Sequence, residues 1–192
     1  GYVETVVQGE TGEDLNKAGI QLQQEGRLAE AEAAFRRAMA LNAKSSSVRC
    51  NLGSLLFSTG NREEALTLLE SALELAPDSE LAINNYGHAL LELGRAVEAL
   101  GVLERGIIYH RKSFLLGLIF ASALLAVGQQ ERAELQLHEL LERESENAAV
   151  WHGMGLACLG LGKLSEAKDA FLQAIRIESG EAGYFYDLGN AC

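Results

Sequence analysis

Proline is nearly missing, with Pro77 the only one in 192 residues. No Ser- or Gly-rich tract replaces it, so nothing marks a linker and the chain reads as one continuous array of ordered elements. Basic residues are scarce too: 16 Lys and Arg stand against 27 Asp and Glu, a formal charge of −11. That balance speaks against DNA, RNA or an anionic membrane surface as partner, because Lys and Arg supply most of the affinity for phosphate. The acidic excess is read as a solvated surface that keeps the chain soluble. Three cysteines, Cys50, Cys158 and Cys192, match no zinc or redox spacing, since even the nearest two, Cys158 and Cys192, stand far apart in the chain. Buried thiols are expected, and an odd count fits a reducing, cytoplasmic compartment. No run reaches the ~18 apolar residues of a membrane span, so no membrane insertion is expected. The chain starts at Gly1 and stops at Cys192 inside a helical pattern, and is expected to be a piece of something longer.

What is abundant is repetition. The stretch Asn51 to Asp78 holds two amphipathic runs joined at Gly60-Asn61, and a step of fixed length along the chain returns the same residue types. Gly53 maps to Gly19, Gly87, Ala121, Gly155 and Gly189; Gly60 maps to Gly26, Gly94, Gly128 and Gly162; Ala65 maps to Ala31, Ala99, Ala133 and Ala167. A fixed period of about 34 residues in helical pairs is the mark of a helix-turn-helix solenoid. The Gly60 series is expected to stop each first helix in the left-handed region, which costs other residues about 1–2 kcal/mol. Gly19 and Ala31 are expected where paired helices cross, because a larger side chain there would overpack by about 1–3 kcal/mol. The repeats run 12–45, 46–79, 80–113, 114–147 and 148–181, with a partial sixth at 182–192, in one array. Residues 1–11, with Tyr2, Val3, Val6 and Val7, are taken as a frayed N-terminal extension.

The residues at these positions are specific. Leu52-Gly53, Ala65, Ala72 and Pro77, and again Trp151, Gly155, Ala167, Phe171 and Ala174, give the chain a clear resemblance to the tetratricopeptide repeat family. Departures are Arg49 at the family's Trp position, Gly106 on a second helix and Arg111 where Pro is expected. The resemblance implies an all-α fold, an α-solenoid forming a right-handed superhelix of five helical pairs plus an eleventh helix. It also implies a non-enzymatic scaffold or adaptor without a cofactor, binding a peptide or amphipathic helix of another protein in its concave groove. Two alternatives stand beside it: a substrate-recruiting arm of a larger enzyme resembling the O-linked N-acetylglucosamine transferases, and an assembly factor for a secretion or pilus system.

Two sets of groove residues are expected. The first helix of repeat four, residues 114–127, carries no charge at all. Leu116, Phe120, Ala121, Leu124 and Val127 account for its core face, leaving Leu115, Leu118, Ile119, Ser122 and Leu125 on the groove face. Burying four such aliphatic side chains is worth roughly 6–12 kcal/mol gross. Association costs about 4–15 kcal/mol, so the stripe by itself supports a weak complex. Leu81 and Leu91 of repeat three and Leu156 and Leu159 of repeat five extend it. The second set is polar: Asn51 and Asn85 at matching positions, with Ser54, Asn84 and His88 on the same face and His152 further on. In related arrays such asparagines grip a peptide backbone, one carboxamide offering both donor and acceptor. A clamp for a C-terminal carboxylate is disfavoured, because Asn16, Ile20, Leu81 and Asn85 stand where its basic and amide groups belong.

No catalytic set is visible. Gly160 to Ser165 has a phosphate-loop flavour, but Ala157 replaces the first glycine and Leu164 follows the lysine. His88, His110, His138 and His152 show no metal-site spacing. Tyr184, Phe185 and Tyr186 begin a sixth first helix with nothing after it, and are read as an open end for further chain, a capping helix or self-association.

Overall fold

The computed structural model of the chain describes residues 11–191. The N-terminal extension, apart from Thr11, and Cys192 lie outside the described residues. Among the described residues all regular structure is helical. The helices are α1 (Gly12–Gln24), α2 (Leu28–Leu41), α3 (Ser46–Ser58), α4 (Arg62–Leu75), α5 (Glu80–Glu92) and α6 (Ala96–Tyr109). They continue as α7 (Phe114–Ala126), α8 (Gln130–Arg143), α9 (Ala148–Gly160), α10 (Leu164–Ile177) and α11 (Ala182–Asn190). The odd-numbered helices start at Gly12, Ser46, Glu80, Phe114, Ala148 and Ala182, keeping the sequence period without a slip and giving five pairs and one unpaired helix.

The two helix types are bounded by different chemistry. The first helix of each pair is started by a side chain, with Thr11, Ser45, Ser79, Ser113 and Asn147 each accepting from a backbone N–H three residues on. Thr11 also closes a capping box with Asp14. Each of these helices then ends at a glycine with φ between 72° and 96°: Gly26, Gly60, Gly94, Gly128 and Gly162. At the first of them, Arg27 N–H donates to the Leu22 carbonyl and Gly26 N–H to that of Gln23, and the same pair of hydrogen bonds recurs at the other four. The second helices need no side-chain cap, because this turn already delivers Arg27, Asn61, Arg95, Gln129 and Lys163 in position to start them.

Two compact units make up the chain, one extending to Ala89 and the other beginning at Leu90, with the boundary inside α5. In the first unit α1 packs on α2, α2 on α3 and α3 on α4, while α1 also touches α3. Its core joins Ala31 and Phe35 of α2 to Leu52, Leu55 and Leu56 of α3 and to Ala65 and Leu68 of α4. Leu15, Ala38 and Val48 form a neighbouring cluster, and the Cys50 thiol is buried with Ala72 and Ala82. Burial pushes that thiol up to about 11, against a smaller lowering by its hydrogen bond with Ser46.

The second unit repeats the scheme. Helix α6 packs on α7, α7 on α8, α8 on α9, α9 on α10 and α10 on α11, with α7 also touching α9. Leu116, Phe120, Leu124, Leu137, Val150, Met154 and Phe171 are buried here. From α1 to α4 and from α6 to α11 each helix packs on the one after it, which is the packing of an α-solenoid.

Candidate partner-binding cleft

Helix α7 shows why a charge-free helix need not be sealed. Its core face buries Leu116, Phe120, Ala121, Ala123 and Leu124. The face turned away from α8 stays partly open: Leu115 and Ser122 are exposed, and Leu118 and Leu125 are half-buried. Between α7 and α9 this opening becomes a cavity of about 650 Å³. Leu118, Ala121, Ser122, Leu125 and Ala126 line it from α7, and Ala149, His152, Gly153 and Leu156 from α9. Gln130 and Leu137 of α8 complete the lining.

Small residues let Leu137 reach the wall. A Cβ placed on Gly153 would lie 3.1 Å from Leu137 Cδ2, so even an alanine there would need the Leu137 side chain to give by a few tenths of an ångström. No charged side chain lines the cavity; its polar groups are Ser122, Gln130 and His152. The Ser122 hydroxyl donates back to the Leu118 carbonyl at 3.0 Å. His152 is fixed from its other side. Its Nε2 lies 2.7 Å from Asp187 Oδ2, and its ring centroid is 4.8 Å from Tyr184 and 5.7 Å from Phe171. Burial pushes the Tyr184 phenol up, and the nearby Glu178 and Glu181 carboxylates add to this. An apolar hollow of this size with a few oriented polar groups suits a hydrophobic guest.

The sequence-predicted residues divide between the units. In the second unit Leu118, Ser122, Leu125, His152 and Leu156 all line the cavity, and Leu115 is exposed on the same helix. Ile119 does not belong with them: it is 8% exposed and packs into the core, one residue round the helix from Leu118. In the first unit Leu81 and His88 are exposed, and Ser54, Asn51 and Asn85 are half-buried. Asn84 is misplaced in the same sense, at 6% exposure with its Oδ1 lacking a hydrogen-bond partner. Asn51 also differs from a free backbone-gripping amide, because its Nδ2 donates to Asn16 Oδ1 at 2.9 Å.

Three residues outside the expected groove set take part. Gly153 shapes the cavity through its close contact with Leu137. Asn16 and Asp187 are the partners of Asn51 and His152, each 35 residues away. A polar residue at i and another at i+35 is a signal that alignment at the repeat period does not pair.

Elsewhere in this unit Glu134, Cys158 and Glu166 bring one ligand atom each within 4.8 Å. Lys163 Nζ already sits on the Glu134 carboxylate at 2.7 and 2.9 Å. Burial raises the Cys158 thiol, with Glu134 and Glu166 adding to it, which favours the protonated form that binds metals poorly. The same contact explains the lysine of the phosphate-loop-like string: it is an inter-helix ion pair.

Hairpins with a small residue at each crossing, a left-handed glycine at each turn and a fixed period define a class of helical repeat protein. The chain belongs to the tetratricopeptide repeat family: one sequence profile of that family matches residues 18–146 and a second matches 120–182. No curated protein matches the chain. Among solved structures it is similar to YrrB, described as a TPR protein with an unusual peptide-binding site, at 18% identity over 90% of this chain and 89% of that one, TM-score 0.74. It also resembles a tetratricopeptide repeat protein from Parabacteroides merdae, at 19% identity over 95% and 73% of the two chains, TM-score 0.79. MamA from Desulfovibrio magneticus is similar at 17% identity over 91% and 98%, TM-score 0.77. These likenesses establish the fold. No helix among the described residues is long and apolar enough to cross a membrane.

Proposed function

We propose that the chain is a non-catalytic protein-interaction module whose α7–α9 cleft takes an apolar peptide segment or the apolar face of a partner helix. The observation that carries this reading is the uncharged cavity of about 650 Å³ whose open rim is Leu118, Leu125 and Leu156. A guest that fills it removes these side chains from water at roughly 25 cal/mol per Å². Ser122 and His152 offer hydroxyl and imidazole groups that fix its register. Peptide binding by YrrB, a neighbour in fold, supports the same general use. The Ser122 hydroxyl donates to the Leu118 carbonyl of its own helix, and among the described residues the His152 ring hydrogen-bonds to Asp187 alone.

Screening an array of short random peptides against the wild type and Leu118→Asp/Leu125→Asp tests this. Both positions are half-buried at the cleft rim, so the fold is expected to survive, with an unchanged helical circular dichroism spectrum. Wild type should select peptides rich in Leu, Phe and Met, and the variant should lose them by on the order of tenfold or more. Equal binding by a folded variant would remove the cleft from the function.

A further inference from the structure

His152 is the one ring in the cleft lining, and its two nitrogens have different surroundings. Nε2 lies 2.7 Å from Asp187 Oδ2. A carboxylate only accepts, so Nε2 carries the proton, and the neutral imidazole keeps its lone pair on Nδ1. Tyr184 at 4.8 Å and Phe171 at 5.7 Å flank the ring and hold its orientation. Nδ1 has no hydrogen-bond partner among the described residues. Nor is it one of the sealed polar atoms without a partner, which are Arg49 Nε and Asn84 Oδ1. It therefore reaches solvent, and the cavity is the space that this residue borders.

The other polar groups of the lining are weighted the same way. The Ser122 hydroxyl donates to the Leu118 carbonyl at 3.0 Å, which leaves a guest its oxygen lone pairs. Gln130 has an amide donor, but a Cβ on Gly160 would lie 3.0 Å from its Nε2, so that group packs on the end of α9. No lysine or arginine lines the cavity to meet a carboxylate. Helices α7 and α9 carry no Asp or Glu either, so a guest ammonium or guanidinium would lose water without gaining a counter-charge in the lining. What suits the cleft is a neutral apolar body with a donor and no acceptor. An indole has that character, and enough surface to cover Leu118, Leu125 and Leu156.

We propose that His152 is the specificity-determining residue of the cleft, its Nδ1 accepting a hydrogen bond from the indole N–H of a partner protein's tryptophan, and that Asp187 positions it by fixing the tautomer. This rests on the reading of the cleft as an apolar peptide site. The walls are complete pairs, α7 with α8 and α9 with α10, so the opening belongs to the groove itself. The chain's own tryptophan does not supply the group, because Trp151 Nε1 donates to the Ser145 carbonyl at 2.7 Å.

The probe is a fluorescein-labelled peptide, Leu-Leu-Xaa-Leu-Leu-Ser-Gly-Ser, titrated into the whole chain and read by anisotropy. Xaa is tryptophan or its benzothienylalanine isostere, in which sulfur replaces the N–H. Wild type should bind the tryptophan peptide roughly five- to tenfold more tightly. His152→Phe keeps a ring in place and should bring that ratio to about one, with both peptides still bound. Asp187→Ala should lower the ratio and mix the two tautomers. Each protein is its own reference, so a loss of stability alone does not move the ratio. Nitrogen NMR of the wild-type imidazole should show Nε2 protonated and Nδ1 bare at neutral pH. Equal affinity of wild type for the two peptides, a ratio unchanged by His152→Phe, or a proton on Nδ1 would overturn the proposal. The cleft itself then stands if both peptides bind and Leu118→Asp/Leu125→Asp abolishes that binding. Failure of wild type to bind either peptide overturns both readings.

Discussion

The two units share one scaffold and differ in what they expose on it. In the first, the first-helix faces turned away from the second helices carry Asn16, Asn51, Ser54, Asn85 and His88, and Asn16 and Asn51 bond to each other. In the second, the equivalent faces carry Leu118, Ser122, Leu125, Gly153 and Leu156, and a cavity opens between them. Both keep a polar link between positions 35 apart, Asn16 to Asn51 and His152 to Asp187. Core positions are tied by packing, whereas these faces are free to vary. Binding chemistry can change from one repeat to the next at almost no cost to the fold.

Substitutions at the helix crossings test whether the scaffold really is the same in both units, and carry the largest effects. Gly19→Val and Gly155→Val each place carbon within about 2.5 Å of a buried phenylalanine ring. Each should cost roughly 3 kcal/mol in urea unfolding. Gly189→Ala should cost nothing and gain up to about 1 kcal/mol from helix propensity. If the two Val variants differ by far more than their own errors, the units are not equivalent. Binding sharpens the contrast. Leu118→Asp/Leu125→Asp should lower affinity for apolar peptides on the order of tenfold or more, while Asn51→Ala, at a stability cost of about 1 kcal/mol or less, should leave it intact.

Inter-repeat ion pairs provide the smaller effects. Lys163 of the second unit holds a Glu134 whose side chain is mostly buried, so Lys163→Met should cost about 1 kcal/mol. An inter-repeat pair of the first unit, Arg36–Glu64 at 2.7 and 3.0 Å, is more exposed, and Arg36→Met should cost about 0.5 kcal/mol or less. That difference should depend on acid. Arg36 holds the Glu64 carboxyl below its ordinary value of 4.5. The pair's contribution is therefore fully present above that value and fades as pH falls through the lower folded one. Denaturation curves of wild type and Arg36→Met should converge at acidic pH.

The sequence made the scaffold legible because its residues are fixed by local necessity. The Gly60 series had to be left-handed stops, and Gly19 and Ala31 had to be small where helices cross. The family pattern pointed to the same helices. Faces were harder to read. Leu118 and Ile119, or Asn84 and Asn85, are neighbours about 100° apart on a helix, and which of them is buried depends on the rotation of that helix against its neighbours. Periodicity places a stripe to within about one residue, so Ile119 and Asn84 were assigned to the open side. The cavity was illegible for a related reason: it depends on Gly153 bringing α9 against Leu137, a contact between different repeats. The polar links escaped because each spans one position more than the repeat, adjacent first helices being offset by that one position.

A photo-crosslinker settles where a guest sits. Benzophenone-maleimide attached to Ser122→Cys, in a Cys50→Ala/Cys158→Ala/Cys192→Ser background, should capture a selected apolar peptide in high yield, whereas the same label at Ser54→Cys should capture little. Capture at Ser54 alone would contradict the account.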